Sequence, residues 1–457
     1  MSDIFYDDAL PCFVGILREG LSDEAISQNL FLRDPSGRLT FVVLQGNIPP
    51  NVIRDLTAAA SARLAPYVDD DGFALATPDD LFDDSLVLSS ASKATLTVDG
   101  SDITVNLIDR RIIGADWLQP AQTSNGIPRL VFASLKGGVG RSTALCVSAA
   151  ALAKSGHRVL AIDMDVEAPG LGSMLLTAET APQLGLLDYL VEANFGREAA
   201  ELVDRLISPS WLSDGSGIID VLPALGSRSL SEPTNVLSKV ARAYVSPVPS
   251  AEGITRRMQS LLNALEETNR YDVILIDARA GLHETTGAAL LGLGAQILFF
   301  GTNQPQTYAA YKLLFANLFF ATEKGLDAAI TVVHAKASTA SSARSAFADV
   351  MRSVIAESKP NYRKTRRSAP PVKSELGFEV DWETDESLLE VIMDDLLEKE
   401  DQVIPVVHIL ESESFRDFDP LDRPEALTHD VYDAVYGNFV RHIFNLADLQ
   451  YIETSDA

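Results

Sequence analysis

A glycine-rich loop between an apolar segment and a helical one constrains the fold of this chain more than any other feature. Residues 130–134 have the composition of a buried strand, and residues 142–154 have the pattern of a helix. Glycines let consecutive backbone N–H groups point into one cavity, and the N-terminus of a helix adds partial positive charge there. The sequence therefore predicts a phosphate-binding loop, with a ligand-free glycine turn as the alternative. The loop residues are Lys136, Gly137, Gly138, Val139, Gly140, Arg141, Ser142 and Thr143.

The segments after this loop predict the fold class. Apolar stretches of strand length lie at 158–164, 218–223, 273–276, 297–300, 329–333 and 403–408, and helical patterns at 256–268 and 307–318 separate some of them. Apolar strands that alternate with helices indicate a mostly parallel sheet covered on both faces. We therefore expect a doubly wound α/β core.

A polar, turn-rich stretch at residues 119–128 has the composition of a linker and predicts a domain boundary. Residues 1–125 combine strand patterns at 39–44 and 103–113 with a helical pattern at 51–65, which predicts a smaller N-terminal α+β accessory domain. Residues 126–457 form the second predicted domain. Within it, residues of about 338–400 interrupt the strand–helix alternation and are predicted to be an insertion.

The composition narrows the choice of partners and compartment. The net charge is −27, which disfavours nucleic acid and anionic membrane surfaces as partners. Two distant cysteines form neither a disulfide framework nor a metal motif, and no apolar run reaches the roughly 20 residues of a membrane span. The sequence therefore predicts a cytoplasmic protein without a membrane segment.

Three aspartates follow two of the predicted strands. Asp163 and Asp165 end the strand that begins at residue 158, and Asp277 follows the apolar run 273–276. The carboxyl ends of parallel strands meet at one edge of the sheet, where ligands bind in this class of fold. We therefore expect these carboxylates beside the glycine loop, and capping aspartates in ordinary turns are the alternative.

The loop resembles the deviant Walker A motif of the ParA/MinD family of P-loop ATPases. This resemblance implies a P-loop NTPase core in which the loop residues from Gly137 to Thr143 hold ATP and the Ser142 hydroxyl binds Mg²⁺. Lys136 matches the family's signature lysine, which reaches across an ATP-sandwiched homodimer to the nucleotide of the partner. The family usually has a lysine where Arg141 stands. An arginine keeps the charge but not the compact contact of a lysine, so ATP binding is expected and the rate of hydrolysis is left open.

The same resemblance implies roles for the residues at the strand ends. Asp163 and Asp277 would lie near the water shell of Mg²⁺, and Asp165 would orient the attacking water. Gly281 would offer its backbone N–H to the γ-phosphate. Arg279, where the family usually has proline, either supplies charge to the transition state or pairs with a neighbouring carboxylate.

The leading functional hypothesis is an ATP-hydrolysing dimeric switch that acts through a protein partner. The partner would dock on the N-terminal domain or on the insertion, since the ATPase core needs neither of them. The alternative is a nucleotide-sensing scaffold that binds ATP with negligible turnover and belongs to a bacterial defence cassette. Arg141 and Arg279 motivate this alternative.

Overall fold

The computed structural model describes residues 4–46, 48–69, 72–111, 114–213, 216–245, 253–321, 329–358 and 404–452. The chain divides into two compact units, Met1–Ala115 and Asp116–Ala457. No helix within the described ranges combines the length and the apolar character needed to cross a membrane.

The first unit is an α+β fold, as predicted. Its sheet is mixed and has the strand order β3-β2-β1-β5-β4. At its centre the rings of Phe13, Phe31 and Phe41 pack edge to face, with centroids 5.6 Å and 5.1 Å apart. The elements are α1 (Tyr6–Leu17), α2 (Asp23–Ser27), β1 (Leu30–Arg33), β2 (Leu39–Val42), α3 (Pro50–Leu64), β3 (Leu75–Ala76), β4 (Ser92–Val98) and β5 (Ser101–Asp109).

The second unit is built on a sheet with the order β13-β12-β11-β6-β10-β7-β9-β8. All neighbouring strands in this sheet are parallel except β8, which runs antiparallel to β9. The prediction of a doubly wound, mostly parallel sheet is therefore confirmed. The strands are β6 (Arg129–Ser134), β7 (Arg158–Asp163), β8 (Ser208–Pro209), β9 (Ile218–Leu222), β10 (Val273–Asp277), β11 (Gln296–Gly301), β12 (Ile330–Ala337) and β13 (Val406–Leu410).

Helices of the second unit cover both faces of this sheet. They are α4 (Arg141–Lys154), α5 (Leu171–Leu175), α6 (Leu186–Ala193), α7 (Ala199–Leu206), α8 (Ser227–Ser231), α9 (Val236–Ala243), α10 (Ile254–Glu267), α11 (Glu284–Gly287), α12 (Pro305–Ala321), α13 (Ser341–Ser358) and α14 (His429–Leu446). Successive side chains of a strand point to opposite faces. Leu130 and Phe132 of β6 therefore join a core with α4 and α14, while Val131 and Ala133 join one with α10, α12 and α13.

The turn-rich segment after Ala115 packs onto the second unit. The Asp116 carboxylate accepts the N–H groups of Ile254 and Thr255, at 3.1 Å and 2.9 Å, and so caps α10. Trp117 donates its indole N–H to the carbonyl of His283 at 3.0 Å. The residue that caps this helix, Asp116, precedes the predicted linker at 119–128, and the compact unit begins at Asp116, before the predicted boundary at 125/126.

The predicted insertion at about 338–400 lies mostly outside the described residues. Its first part forms α13, which packs beside α12. Residues 359–403, which carry the rest of the predicted insertion, are not among the described ranges.

Candidate functional site

The glycine loop joins β6 to α4 at the carboxyl edge of the parallel sheet. Gly138 and Gly140 have φ values of +72° and +92°, in the left-handed region that side-chain-bearing residues rarely adopt. A Cβ placed on Gly137, Gly138 or Gly140 would meet no described atom within 4 Å. The requirement for glycine therefore comes from the backbone conformation, and the space above the loop is open to a ligand.

The side chains on either side of these glycines differ in burial. Val139 is buried in the core beneath the loop, whereas Lys136 is exposed and donates from its Nζ to the Gln304 Oε1 atom at 2.9 Å. Thr143 is half-buried and lines a cavity of about 110 Å³ beside the loop. The loop thus presents a free backbone surface with an exposed lysine at one side.

Arg141 lies beneath the loop. Its side chain is 9% exposed, and its guanidinium donates a hydrogen bond to the carbonyl of Ala278. Its Nε atom lies 4.0 Å from Oδ1 of Asp277. The buried guanidinium thus binds at the end of β10.

Two strand-end carboxylates meet below the loop, as the sequence predicts for Asp163 and Asp277. These residues face each other in the register of β7 and β10 and are 1% and 3% exposed. Asp163 accepts three backbone N–H groups, from Asp165, Gly170 and Leu171, at 3.0, 3.2 and 3.1 Å. These bonds fix the start of the segment that follows β7.

Asp277 has a different environment. One of its oxygens accepts the hydroxyl hydrogen of Ser142, and the other, Oδ1, has no hydrogen-bond partner among the described residues. Burial raises the pKa of Asp277, and the charge of Arg141 opposes this rise. Burial also raises the pKa of Asp163, and the charge of Asp277 adds to it. A cation bound between these groups would stabilise both carboxylates.

Magnesium fits the donor set at this point. Mg²⁺ prefers hard oxygen ligands and usually binds through one or two protein groups together with water and substrate phosphates. The Ser142 hydroxyl and the carboxylates of Asp163 and Asp277 are such groups, and one carboxylate oxygen is unpartnered. The described residues contain no cluster of three or more His, Cys, Asp or Glu side chains arranged to hold a metal by themselves. The site therefore suits a cation that arrives with phosphates.

A charged cluster lies beside this site. Glu167 forms an ion pair with Arg279 at 2.7 Å through Oε2, and its Oε1 lies 3.0 Å from Nε2 of His283. The hydroxyl of Tyr244 donates to the same Oε1 atom at 2.9 Å. The Nη1 atom of Arg279 also lies 3.7 Å from Oδ1 of Asp165. In this structure Arg279 therefore pairs with carboxylates, which was one of the two roles considered for it.

The protonation of the cluster follows from its burial and charges. Burial lowers the pKa of His283, and the nearby charge of Arg279 lowers it further, so the imidazole is neutral at pH 7. Partial burial would raise the pKa of Glu167, but the Tyr244 hydrogen bond and the Arg279 charge outweigh it and hold that pKa below its usual value. Tyr244 carries no motif that would reveal its role from the sequence.

The Gly281 backbone has φ +93°, and its N–H donates to the carbonyl of Ser134 at 2.9 Å. Its predicted contact with a γ-phosphate requires this hydrogen bond to open. The Asp165 carboxylate, for which the sequence predicts a role in orienting water, accepts the N–H of Ala168 at 3.1 Å, and its side chain is 13% exposed. Both predicted roles remain predictions.

A sequence model of the CobQ/CobB/MinD/ParA nucleotide-binding domain matches residues 130–369, more than half of the chain. No curated protein gives a significant match in sequence. The matched range begins at the strand before the glycine loop and contains all the site residues described above.

Solved structures that are similar to this chain include a plasmid partition protein and two MinD proteins. A plasmid partition protein of Borrelia burgdorferi bound to AMPPNP is 17% identical, with 70% of this chain and 99% of that chain covered and a TM-score of 0.39. The septum site-determining protein MinD of Pyrococcus horikoshii with Mg-ADP is 17% identical, with 70% and 97% covered and a TM-score of 0.40. The cell division ATPase MinD of Pyrococcus furiosus is 20% identical, with 70% and 97% covered and a TM-score of 0.38.

Proposed function

The chain belongs to the CobQ/CobB/MinD/ParA nucleotide-binding family, and from this premise we propose that it is an ATP-hydrolysing switch that dimerises around its nucleotide and signals to a protein partner. The observation that carries the proposal is the placing of Ser142, Asp163 and Asp277 at one sheet edge beneath an open glycine loop. That arrangement supplies backbone donors for phosphates and oxygen ligands for Mg²⁺ within one site.

Each residue of the site has its own proposed role in phosphoryl transfer. The backbone N–H groups of the loop would bind the phosphates, and the Ser142 hydroxyl, which now bonds to Asp277, would be a ligand of Mg²⁺. When bound, Mg²⁺ would neutralise the charge that develops on the phosphates. Asp163 and Asp277 would hold the water shell of the metal, and Asp165 would accept a hydrogen bond from the attacking water. Arg279, 3.7 Å from Asp165, places a positive charge beside that carboxylate.

Lys136 links nucleotide binding to dimerisation in this proposal. Its ammonium is exposed, and its hydrogen bond to Gln304 is one that solvent or a phosphate can replace at little cost. In a face-to-face dimer it would reach the triphosphate bound by the partner. The dimer would then form with ATP and open after hydrolysis.

The molecule that recognises the ATP-bound dimer is proposed to be a protein. A net charge of −27 works against the counterion release on which nonspecific nucleic-acid binding depends. The N-terminal unit has its own hydrophobic core and lies outside the matched family domain, so it is the proposed docking module. Cys12 and Cys146 are both free thiols, which agrees with a proposed place in the reducing cytoplasm.

The dimer proposal is tested with Lys136→Ala and a matched control, Lys312→Ala. Lys312 is an exposed lysine paired with Glu357 at 2.7 Å on the surface of the same unit. Molar mass from light scattering is measured with and without ATP and Mg²⁺, and ATP binding is measured in parallel. The wild type and Lys312→Ala should double in mass with ATP, whereas Lys136→Ala should bind ATP and remain a monomer. If Lys136→Ala dimerises as the wild type does, its cross-dimer role is wrong.

A second candidate function rests on Arg141. Because its guanidinium is bound to the Ala278 carbonyl beneath the loop, the compact charge that family members place between β- and γ-phosphates is missing from this position. The chain would then be a nucleotide-sensing scaffold that binds ATP and turns it over negligibly. Release of phosphate over time separates the two functions.

A further inference from the structure

Under the proposed function of ATP binding, the buried position of Arg141 raises the question of which cation contacts the phosphates. A triphosphate needs cations besides Mg²⁺, and a lysine ammonium is the compact point charge that P-loop sites use. Arg141 lies under the loop, committed to Ala278 and close to Asp277. Another cation on the open side of the loop would have to supply the missing contact.

Lys336 of β12 contacts the loop. Strand β12 has an irregular register with β13, which shifts between His334 and Ala337, and Lys336 stands inside this irregularity. Its φ is +52°, a left-handed conformation that is unfavourable for a residue with a side chain. Backbone strain of this kind persists only where the surrounding structure enforces it, and it concentrates at functional sites. At this position the Lys336 side chain is exposed, whereas its neighbours Ala335 and Ala337 are buried.

From this strained position the ammonium of Lys336 contacts the phosphate loop. Its Nζ atom lies 2.9 Å from the carbonyl oxygen of Gly138, across 198 positions of sequence. Within the described part of the chain Lys336 forms no ion pair with a carboxylate, although Glu411 lines the same cavity, so no ion pair holds its ammonium in place. A lysine that donates to a backbone carbonyl can exchange that bond for a phosphate oxygen and gain a charge-assisted one.

Lys336 also lines a cavity next to the loop. The cavity has a volume of about 110 Å³, and Gly140 and Thr143 line it with Lys336. Thr143 is one of the loop residues that are expected to hold ATP. Another cation of the cavity, Arg416, is already in contact with Glu413 at 3.4 Å. The ammonium of Lys336 therefore shares this cavity with two residues of the phosphate loop, Gly140 and Thr143.

We propose that Lys336 is a phosphate-binding residue of the nucleotide site and that its ammonium supplies the compact charge for which the family uses the lysine at the position of Arg141. On nucleotide binding, Lys336 leaves the Gly138 carbonyl and binds a phosphate oxygen. This inference rests on the proposed ATP binding and names a residue outside every loop motif.

The experiment is a binding cycle measured by calorimetry with ATP and with adenosine. The proteins are the wild type, Lys336→Asn, Arg141→Lys, the double variant, and Lys312→Asn as the control. Asparagine is chosen because it tolerates the left-handed backbone while it removes the charge. Thermal unfolding of Lys336→Asn should match that of the wild type, and Lys336→Met is a second variant in case asparagine forms new contacts.

The proposal predicts a specific pattern of affinities. Lys336→Asn should weaken ATP binding by about 10- to 100-fold, the effect of losing one hydrogen bond to a charged group. Adenosine, which has no phosphate, should bind the two proteins equally. In the Arg141→Lys background the same substitution should cost less than about threefold, because the restored lysine supplies the contact. Lys312→Asn should bind ATP as the wild type does.

Three results would overturn the inference while leaving the proposed function intact. They are ATP binding by Lys336→Asn at the wild-type affinity, an equal loss for ATP and adenosine, and an equal loss in the wild-type and Arg141→Lys backgrounds. If the wild type itself binds no ATP, the proposed function fails, and the inference fails with it.

Discussion

A buried histidine next to the proposed site should make the second unit sensitive to acid. His334 is 2% exposed, and its ring stacks on that of Phe347 with centroids 3.9 Å apart. Burial lowers the pKa of His334 to about 4 from its ordinary 6.5, and the charges of His408 and Arg344 lower it further. The folded unit therefore holds this imidazole neutral where the unfolded chain would protonate it.

The sign and size of the effect follow from this shift. Because the folded pKa is below the unfolded one, the contribution of His334 to stability is complete above pH 6.5 and is lost as the pH falls toward 4. A shift of about 2.5 units at about 1.4 kcal/mol per unit gives about 3 kcal/mol over the whole window. About 2 kcal/mol of it should already be lost between pH 7.5 and pH 5.0. This range stays above the isoelectric point of about 4.5, where solubility is lowest.

The perturbation is His334→Phe, which keeps a flat ring against Phe347 and removes the titrating group. Urea unfolding is followed by tryptophan fluorescence, since all three tryptophans, at positions 117, 211 and 382, belong to the second unit. The wild type should lose about 2 kcal/mol more than the variant between pH 7.5 and pH 5.0.

A matched control is Val333→Ala. Val333 is fully buried beside His334 and does not titrate, so its truncation should lower the free energy of unfolding by a similar amount at both pH values. If His334→Phe shows the same dependence on pH as the wild type, burial of a neutral imidazole is not what destabilises the unit in acid.

Three further predictions concern the site. Ser142→Ala removes the hydroxyl that binds Asp277 and is proposed to bind Mg²⁺, so the magnesium-dependent gain in ATP affinity should fall by about 10- to 100-fold in a comparison of Mg²⁺ with EDTA. Glu167→Gln removes the charge that faces Arg279 at 2.7 Å, and since the Glu167 side chain is 31% exposed, the free energy of unfolding should fall by only about 1 kcal/mol. Tyr244→Phe should cost about 0.5–1.5 kcal/mol by the same urea assay, and less in the Glu167→Gln background, where its charged acceptor is gone. Equal costs for Tyr244→Phe in both backgrounds would show that the hydroxyl does not act through Glu167.

Local sequence patterns predicted the sheet of the second unit well. A strand buried on both faces is a continuous apolar run, and Asp277 follows such a run, so its place at the sheet edge could be inferred. Helix α1 of the first unit was not predicted. It contains Pro11, and a proline inside a helix removes a backbone hydrogen bond, which works against a helix prediction.

The parts of the site that could not be predicted depend on distant contacts. Tyr244 meets Glu167 across 77 positions, and Lys336 meets Gly138 across 198 positions. No period or spacing encodes such pairs, since they depend on the order of strands and on a register shift in β12. Arg279 illustrates the same limit, because the sequence left two roles open and only the fold shows which carboxylates surround it.

Release of phosphate from ATP and Mg²⁺ by the purified protein, measured beside Asp165→Ala, tests the central claim most directly. Both proteins should bind ATP, which is checked by calorimetry, because the loop and the residues proposed to hold the metal are unchanged in the variant. The account predicts steady phosphate release by the wild type and none by Asp165→Ala, since the proposed acceptor for the attacking water is then missing. Equal release by the two proteins would contradict the role of Asp165, and no release by either would contradict hydrolysis by the protein alone and favour the nucleotide-sensing scaffold.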